Sequence, residues 1–87
     1  MTAGQPAGAD PALLPVEIDA RNLLCPLPVL RLRKALMALP PRGRAALTAT
    51  DGAAVLDVPH FCAQGRHRLV EVTVLADGAR RYLVERG

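Results

Sequence analysis

A cysteine preceded by two leucines and followed by two prolines marks the start of the first predicted helix. Cys25 precedes Pro26 and Pro28 in the segment NLLCPLPVL, and proline is favoured at the first position of a helix. The N–H groups of a first turn lack partners within the helix, and the helix dipole adds partial positive charge there. Both effects favour a thiolate, the nucleophilic form of cysteine. The pattern predicts a held, reactive Cys25 with a lowered pKa, and a small packed hydrophobic residue is the alternative left open.

Four neighbours of Cys25 are expected to assist this chemistry. Pro26 and Pro28 lack N–H groups and restrict the backbone, so they hold the sulfur in place. Leu27 lies between them and keeps an N–H group that can point at the sulfur. Arg21, four residues upstream, would add positive charge. We therefore predict that Arg21, Pro26, Leu27 and Pro28 position and activate the thiol.

The other cysteine and both histidines favour structural roles. Cys62 falls on the apolar side of the second predicted helix beside Phe61, where a buried structural thiol is expected. With His60 and His67 it matches none of the usual zinc spacings, so no metal and no cofactor are predicted. His67 is expected to cap or hydrogen-bond near the end of that helix. A Cys25–Cys62 disulfide stays open, because it depends on a distance between the two residues.

The chain alternates strand-like and helix-like segments. Alternating apolar and polar residues predict strands, and apolar residues three and four apart predict helices. The predicted elements are a strand over 16–19, a helix from 26 that the prolines at 40 and 41 end, a strand over 45–50, a helix over about 53–64, and strands over 68–76 and 80–86. Pro59 is expected to make the second helix irregular or to split it. Asn22 tolerates a left-handed backbone, and the pair Asp77–Gly78 favours a hairpin.

The helices and the third strand each have an apolar side. In the first helix the core-facing residues are Val29, Leu32, Leu36 and Leu39. In the second they are Val55, Leu56, Val58, Phe61 and Cys62, and the third strand has Val70, Val72 and Val74 on one face. A stripe of Leu30, Arg33 and Met37 flanks the core side of the first helix, opposite Arg31. This stripe is either a partly covered helix edge or an apolar and basic docking surface for a partner.

Asp51 follows the second strand as Cys25 follows the first. Its residue type suits the N-cap of the second helix. If the two strands are parallel neighbours, both helix starts lie at one end of the sheet, where open α/β sheets place their sites. Asp51 is therefore predicted either as a cap alone or as a cap that also contacts a partner.

These elements predict one α/β (α+β) domain. The order βαβαββ in 87 residues fits a two-layer sandwich, in which two helices pack on one face of a mixed four-stranded sheet. Residues 1–15 are rich in Ala, Gly and Pro without periodicity, which predicts a disordered N-terminal tail before a folded domain over 16–87.

The amino-acid composition restricts the kinds of partner and the compartment that are expected for this chain. Phe61 and Tyr82 are the only aromatic residues, so few side chains could stack on nucleic-acid bases. Direct binding of nucleic acid is therefore not expected. The net charge of +3 fits an acidic partner surface, but it is better explained by solubility, because net charge bears on solubility and encounter and not on a site. No run approaches the ~18 apolar residues of a membrane span, and the first residues lack the pattern of a secretory signal. A cytoplasmic protein with reduced thiols is expected.

Two segments resemble the TusA/SirA family of small sulfur-carrier proteins. The segment IDARNLLCPLPVLRLRKAL carries Cys-Pro-x-Pro at a helix start, and TDGAAVLDVPHFCAQGRH resembles the family's Thr-Asp, Asp-Ile-Pro-x-Phe-Cys and His. The resemblance covers about residues 16–86. Asn22, Gly52 and Arg66 depart from the family's usual residues, and all three lie in predicted turns.

The resemblance implies a sulfur carrier of the sulfurtransferase type, with the fold described above. Cys25 would accept a sulfane sulfur as a persulfide and pass it to an acceptor protein, as a carrier rather than a stand-alone turnover enzyme. The implied donors are cysteine desulfurases or rhodanese-like sulfurtransferases, and the implied destinations are tRNA thiolation, sulfur oxidation or cofactor assembly. The alternative is a non-catalytic protein- or RNA-interaction module in which Cys25 is structural.

Overall fold

The computed structural model describes residues 14–87 and contains four strands and two helices. In chain order they are β1 (Val16–Ala20), α1 (Leu27–Met37), β2 (Arg44–Ala49), α2 (Ala54–Gly65), β3 (Arg68–Val74) and β4 (Arg80–Glu85). The predicted order βαβαββ is confirmed. Residues 1–13 of the predicted tail lie outside the described range, so the tail and its boundary with the domain stay predictions.

The four strands form one mixed sheet in the order β1-β2-β4-β3. β1 and β2 are parallel and are connected through α1, whereas β4 pairs antiparallel with both β2 and β3. β3 and β4 form the predicted hairpin, and Gly78 in its turn has a φ of +88°, which glycine adopts without strain. Because β1 and β2 run in the same direction, their carboxyl ends lie at the same edge of the sheet.

Both helices cover one face of this sheet and form a small aliphatic core. Leu32 and Leu36 of α1 are buried, which confirms the predicted phase of that helix, and Val29 and Leu39 pack beside them. The largest fully buried side chains are Tyr82, Leu32, Leu36, Leu47, Val58 and Val84. Truncating a buried leucine to alanine costs about 2–5 kcal/mol, so this cluster carries much of the stability. Within the described residues, no helix is both long and apolar enough to cross a membrane.

The opposite face of the sheet carries charged side chains. Arg81 of β4 pairs with Glu17 of β1 at 2.6 Å, and Arg44 of β2 pairs with Glu85 of β4 at 2.9 Å. Ion pairs on a protein surface contribute only about 0–1 kcal/mol each. These pairs therefore keep the face polar, and the stability comes from the helix side.

The second helix differs from its prediction in two ways. α2 runs without a break through Pro59. The carbonyl of Val55, which Pro59 leaves without a donor, belongs to the exposed side of the helix, where water can bind it. Val55 and Leu56 were expected in the core, but Leu56 is 77% exposed, because the sheet contacts the side of α2 that carries Ala54, Val58 and Cys62.

The third strand also departs from simple alternation. A register shift between Leu69 and Glu71 leaves Val70 without a partner in β4. Leu69 packs against the core, while Val72 and Val74 are exposed on the edge strand. The extra residue of the bulge interrupts the two-residue period. Val72 and Val74 still share one face of the strand, and the place of Val70 on that face stays a prediction.

Candidate functional site

Both helix starts lie at the carboxyl edge of the parallel strands, as predicted. The chain leaving β1 turns through residues 21–26 into α1, and the chain leaving β2 turns through 50–53 into α2. Asn22 has the expected left-handed backbone, with a φ of +67°. Its N–H donates to Thr50 Oγ1 at 2.9 Å, which ties the two turns together. The segments that carry Cys25 and Asp51 are thus held side by side.

Cys25 is exposed and lies just outside α1. Pro26 occupies the N-cap position, Leu27 and the buried Pro28 form the first helical positions, and the Cys25–Pro26 peptide bond is cis. The N–H of Leu27 donates to the carbonyl of Leu24 at 2.9 Å. Leu27 was expected to offer this N–H to the sulfur, and that expectation is wrong because the turn before the helix uses it. The alternative of a packed Cys25 is also wrong, since the residue is exposed.

Asp51 braces the backbone at Cys25. Its Oδ2 accepts a hydrogen bond from the N–H of Cys25 at 2.6 Å, and its Oδ1 accepts one from the N–H of Ala53 at 3.2 Å. Ala53 occupies the N-cap position of α2, two residues beyond the predicted one, and makes no side-chain capping bond. The side chain of Asp51 still binds an N–H of the turn that leads into this helix. One carboxylate thus spans the two helix starts, which positions the residue that bears the thiol.

Asp57 contacts the sulfur itself. This residue lies in the first turn of α2, and its Oδ2 is 3.1 Å from Cys25 Sγ. The hydrogen bond to Asp57 raises the pKa of the Cys25 thiol, and desolvation and the negative charges of Asp57 and Asp51 raise it further. The predicted lowering of this pKa is therefore wrong. Two carboxylates lie beside Cys25, and the first N–H of α1 is already bonded to the carbonyl of Leu24.

Asp57 was not predicted as a site residue. The sequence did carry a signal for it, because Asp57 opens the segment DVPHFC that resembles a family motif. An acid in the first turn of a helix is also explained by the helix dipole, so the position alone does not indicate contact with a thiol 32 residues away.

Arg21 makes ion pairs with carboxylates rather than with the sulfur. Its guanidinium binds Asp77 at 2.9 Å and Asp19 at 3.2 Å. The hydrogen bond to Asp77 raises the pKa of Arg21, and the hydrogen bonds from Ala79 and Arg21 lower the pKa of Asp77. Arg21 therefore joins the end of β1 to the β3–β4 turn, and the expectation that its charge activates Cys25 has no support in these contacts.

A groove of about 290 Å³ opens beside Cys25, between the start of α1 and one side of α2. Pro26, Val29 and Phe61 provide its apolar lining. Its polar lining consists of Asp57, His60 and Gln64, which recur along α2. Cys25 thus borders a groove with a mainly apolar lining and a few polar side chains, the composition typical of a recognition site.

Cys62 and His67 take structural positions. Cys62 is 3% exposed, and its burial raises the pKa of its thiol, so the prediction of a buried thiol is confirmed. His67 Nδ1 accepts a hydrogen bond from the N–H of Gly87 at 3.1 Å, and its ring packs against Phe61. In residues 14–87, no group of three or more His, Cys, Asp or Glu side chains could hold a metal ion.

The flanking stripe of Leu30, Arg33 and Met37 is exposed along α1. Leu30 is 48% and Met37 is 65% exposed, and with Arg33 and Lys34 they border a shallow groove of about 400 Å³. This groove shares no lining residue with the groove at Cys25. The structure therefore brings Asp51 and Asp57 to Cys25 and leaves the stripe further along the same helix.

Fold and site define a small two-layer α/β protein that presents one exposed thiol where its two parallel strands end. The family model described as Sulfurtransferase TusA matches residues 16–86. The chain therefore belongs to the TusA sulfurtransferase family, which confirms the resemblance seen in the sequence.

Relatives and a solved structure agree with this assignment. The chain is 42% identical to the sulfur carrier protein TusA of Pseudomonas syringae over 53 residues, which span 61% of this chain and 63% of that protein. It is 40% identical to the sulfur carrier protein TusA of Pseudomonas fluorescens over 63 residues, 70% of this chain and 76% of that protein. A SirA-like protein from Desulfitobacterium hafniense superposes with a TM-score of 0.75 at 22% identity, covering 83% of this chain and 97% of that one. The last likeness shows the fold, which matches the predicted two-layer sandwich.

Proposed function

We propose that this chain is a sulfur carrier that holds a sulfane sulfur as a persulfide on Cys25. The observation that carries the proposal is the exposed sulfur of Cys25 beside a groove at the shared edge of both helix starts. Membership of the TusA family supports the reaction class. The alternative of an interaction module with a structural Cys25 requires a packed cysteine, whereas this one is exposed.

The reaction is a sulfur exchange without a change of oxidation state. The sulfur of Cys25 attacks the outer sulfur of a donor persulfide, R–S–S–H, and a new S–S bond forms. The old S–S bond breaks, and its electron pair stays on the donor sulfur, which takes up the hydrogen that Cys25 releases. The products are R–S–H and a Cys25 persulfide, and delivery to an acceptor thiol repeats the same exchange.

Such a carrier requires two protein partners in succession. We propose a cysteine desulfurase or a rhodanese-like sulfurtransferase as donor, a second protein as acceptor, and the cytoplasm as the compartment. Exposure of the thiol supports this assignment, since both partners must reach the same sulfur. Asp51 would act at this interface by holding the Cys25 backbone, through its hydrogen bond to the Cys25 N–H.

The stripe of Leu30, Arg33 and Met37 is proposed as the docking surface. Its exposed apolar side chains and its arginine suit a partner with an acidic rim around an apolar centre. Arg33 lies eight residues beyond Cys25 on α1, roughly 12 Å along the helix axis, so it acts on encounter and not on the sulfur. Arg33→Glu should slow sulfur transfer from a protein donor, with a smaller loss at high salt, because charges at an interface rim set the association rate.

Two further variants sharpen that test. Met37→Asp should slow transfer with less dependence on salt, because it disturbs apolar contact. Arg31→Glu changes charge equally on the same helix but faces a different groove, so it is the matched control. Equal transfer rates in all three variants would remove the stripe as a docking surface.

The function itself is tested by intact mass after incubation with a sulfur donor. The protein should gain one sulfur atom, and a reductant should remove it. Cys25→Ala should abolish the gain, whereas Cys62→Ala should retain it, because Cys62 is buried. Equal gains in the wild type and in Cys25→Ala would refute the assignment to Cys25.

A further inference from the structure

The contact between Asp57 and Cys25 depends on the hydrogen that the sulfur carries. Asp57 Oδ2 lies 3.1 Å from Cys25 Sγ. A carboxylate can only accept a hydrogen bond, so the thiol must be the donor. The contact is therefore favourable only while Sγ bears its hydrogen, as it does in the unloaded carrier.

The charged groups around the sulfur are mostly acidic. Asp51 approaches from the turn after β2, and Asp57 approaches from α2. His60 of α2 lines the same groove. Arg21, the arginine closest to Cys25 in the sequence, is paired with Asp19 and Asp77. These surroundings stabilise a neutral sulfur, in agreement with the raised pKa of the Cys25 thiol.

Loading with sulfur removes the basis of the Asp57 contact. In a persulfide, Cys25 Sγ is bonded to its own Cβ and to the outer sulfur, and it has no hydrogen to donate. The acceptor oxygen of Asp57 would then face sulfur lone pairs, and an ionised outer sulfur would add like charge. The same carboxylate that favours the empty carrier therefore disfavours the loaded one.

We propose that Asp57 biases the carrier toward its unloaded form, by binding the thiol hydrogen of empty Cys25 and by repelling the Cys25 persulfide. This inference rests on the proposed sulfur-carrier function and deepens it. A carrier must give up its sulfur as well as accept it. Asp57 weakens retention of the sulfur and so favours delivery to the acceptor.

The exchange with a small persulfide isolates this effect from protein docking. Glutathione persulfide and the Cys25 thiol give glutathione and the Cys25 persulfide, with one S–S bond formed and one broken. The hydrogen released by Cys25 passes to the glutathione sulfur, and no oxidant is consumed. The position of this equilibrium can be measured as the loaded fraction of Cys25 by mass spectrometry in mixtures of glutathione and glutathione persulfide.

Asp57→Asn keeps the shape of the side chain and removes its charge. We expect its equilibrium constant for loading to exceed that of the wild type about threefold to tenfold, which is less than a buried hydrogen bond to a charged group would give, because the site is exposed. Glu71→Gln removes one negative charge from the opposite face of the sheet and should match the wild type. Asp57→Glu, which keeps the charge, should lie closer to the wild type than Asp57→Asn, and Asp57→Ser serves as a second neutral variant if Asp57→Asn does not fold.

The pH dependence of alkylation gives an independent reading that requires no sulfur donor. Without the Asp57 charge, Cys25 should ionise at lower pH and react faster at neutral pH. A tenfold larger thiolate fraction should accelerate alkylation only roughly threefold, since nucleophilicity falls with the pKa of the thiol. A structural role of Asp57 in α2 would move neither the alkylation profile nor the loading equilibrium.

Three outcomes would overturn the proposal about Asp57. In the first, Asp57→Asn matches the wild type in both loading and alkylation. In the second, the variant loads less sulfur than the wild type. In the third, loading becomes slower with an unchanged equilibrium constant, which indicates that Asp57 acts as a general base and does not bias the equilibrium. If the wild type itself takes up no sulfur, the proposed function fails. The alkylation profile then still decides whether Asp57 holds the thiol hydrogen, and an unshifted profile overturns that claim.

Discussion

Cys25 and Cys62 are the two thiols of this chain, and their surroundings differ. Cys62 lies on the buried side of α2, is 3% exposed and belongs to the hydrophobic core. Cys25 is exposed at the edge of the sheet, where Asp57 accepts a hydrogen bond from its thiol and Asp51 accepts one from its backbone N–H. The pKa of each thiol is raised, but desolvation is the cause for Cys62, and the Asp57 hydrogen bond is the leading cause for Cys25.

The two causes have different consequences for chemistry. Burial in the core desolvates a thiol and also excludes reactants from it for as long as the core stays closed. A carboxylate keeps a thiol protonated without covering it, so a partner can still reach the sulfur. The two cysteines therefore show that the accessibility of a thiol to reactants and the pKa of that thiol are controlled separately.

The largest difference is expected in alkylation of the folded protein near neutral pH. Cys25 should react on the order of 10³-fold faster than Cys62, because Cys62 becomes accessible only when the core opens at a cost of about 4 kcal/mol. Peptide mass spectrometry after timed iodoacetamide treatment measures both rates. Comparable rates at the two sites would contradict the separation of an accessible thiol from a buried one.

A smaller difference is expected in stability. Cys62→Ala should lower the free energy of unfolding by about 1–2 kcal/mol, because it removes packed atoms from the core. Cys25→Ala should change it by less than about 0.5 kcal/mol, since the residue is exposed. Urea denaturation of both variants beside the wild type measures the two values. A larger loss of stability in Cys25→Ala than in Cys62→Ala would contradict the assignment of Cys62 to the core and of Cys25 to the surface.

The smallest effect concerns alkaline pH. Cys62 has a raised pKa in the folded protein, so its contribution to stability is complete below the unfolded pKa of about 8.5 and is lost as pH rises toward the folded pKa. Urea midpoints measured from about pH 7 to 10 should therefore fall less steeply in Cys62→Ala than in the wild type. Cys25 and Tyr82 are present in both proteins, so their titrations cancel in the difference. Parallel curves would show that burial of Cys62 does not couple to its ionisation.

The fold was largely predictable because its signals are local. Leu32 and Leu36 recur with the helical period, and the structure buries both. Asp77 and Gly78 mark the hairpin turn by residue type. Two details were not predicted from the sequence. The first is the unbroken course of α2 through Pro59, which depends on which side of the helix meets the sheet. The second is the bulge in β3, which depends on a single unpaired residue, Val70.

The residue types and their spacing are enough to show that a cysteine followed by Pro26 and Pro28 stands at a helix start, and that this helix packs through Leu32 and Leu36. The ionisation of that cysteine depends on contacts that form when the chain folds. The first N–H of α1 donates a hydrogen bond to the carbonyl of Leu24, and Arg21 forms ion pairs with Asp19 and Asp77. Asp57, 32 residues away in the sequence, contacts the sulfur. Periodicity and residue type act over one or two turns of chain, whereas the pKa of an exposed thiol depends on the charges that the packing of α1 beside α2 places within a few ångströms of it.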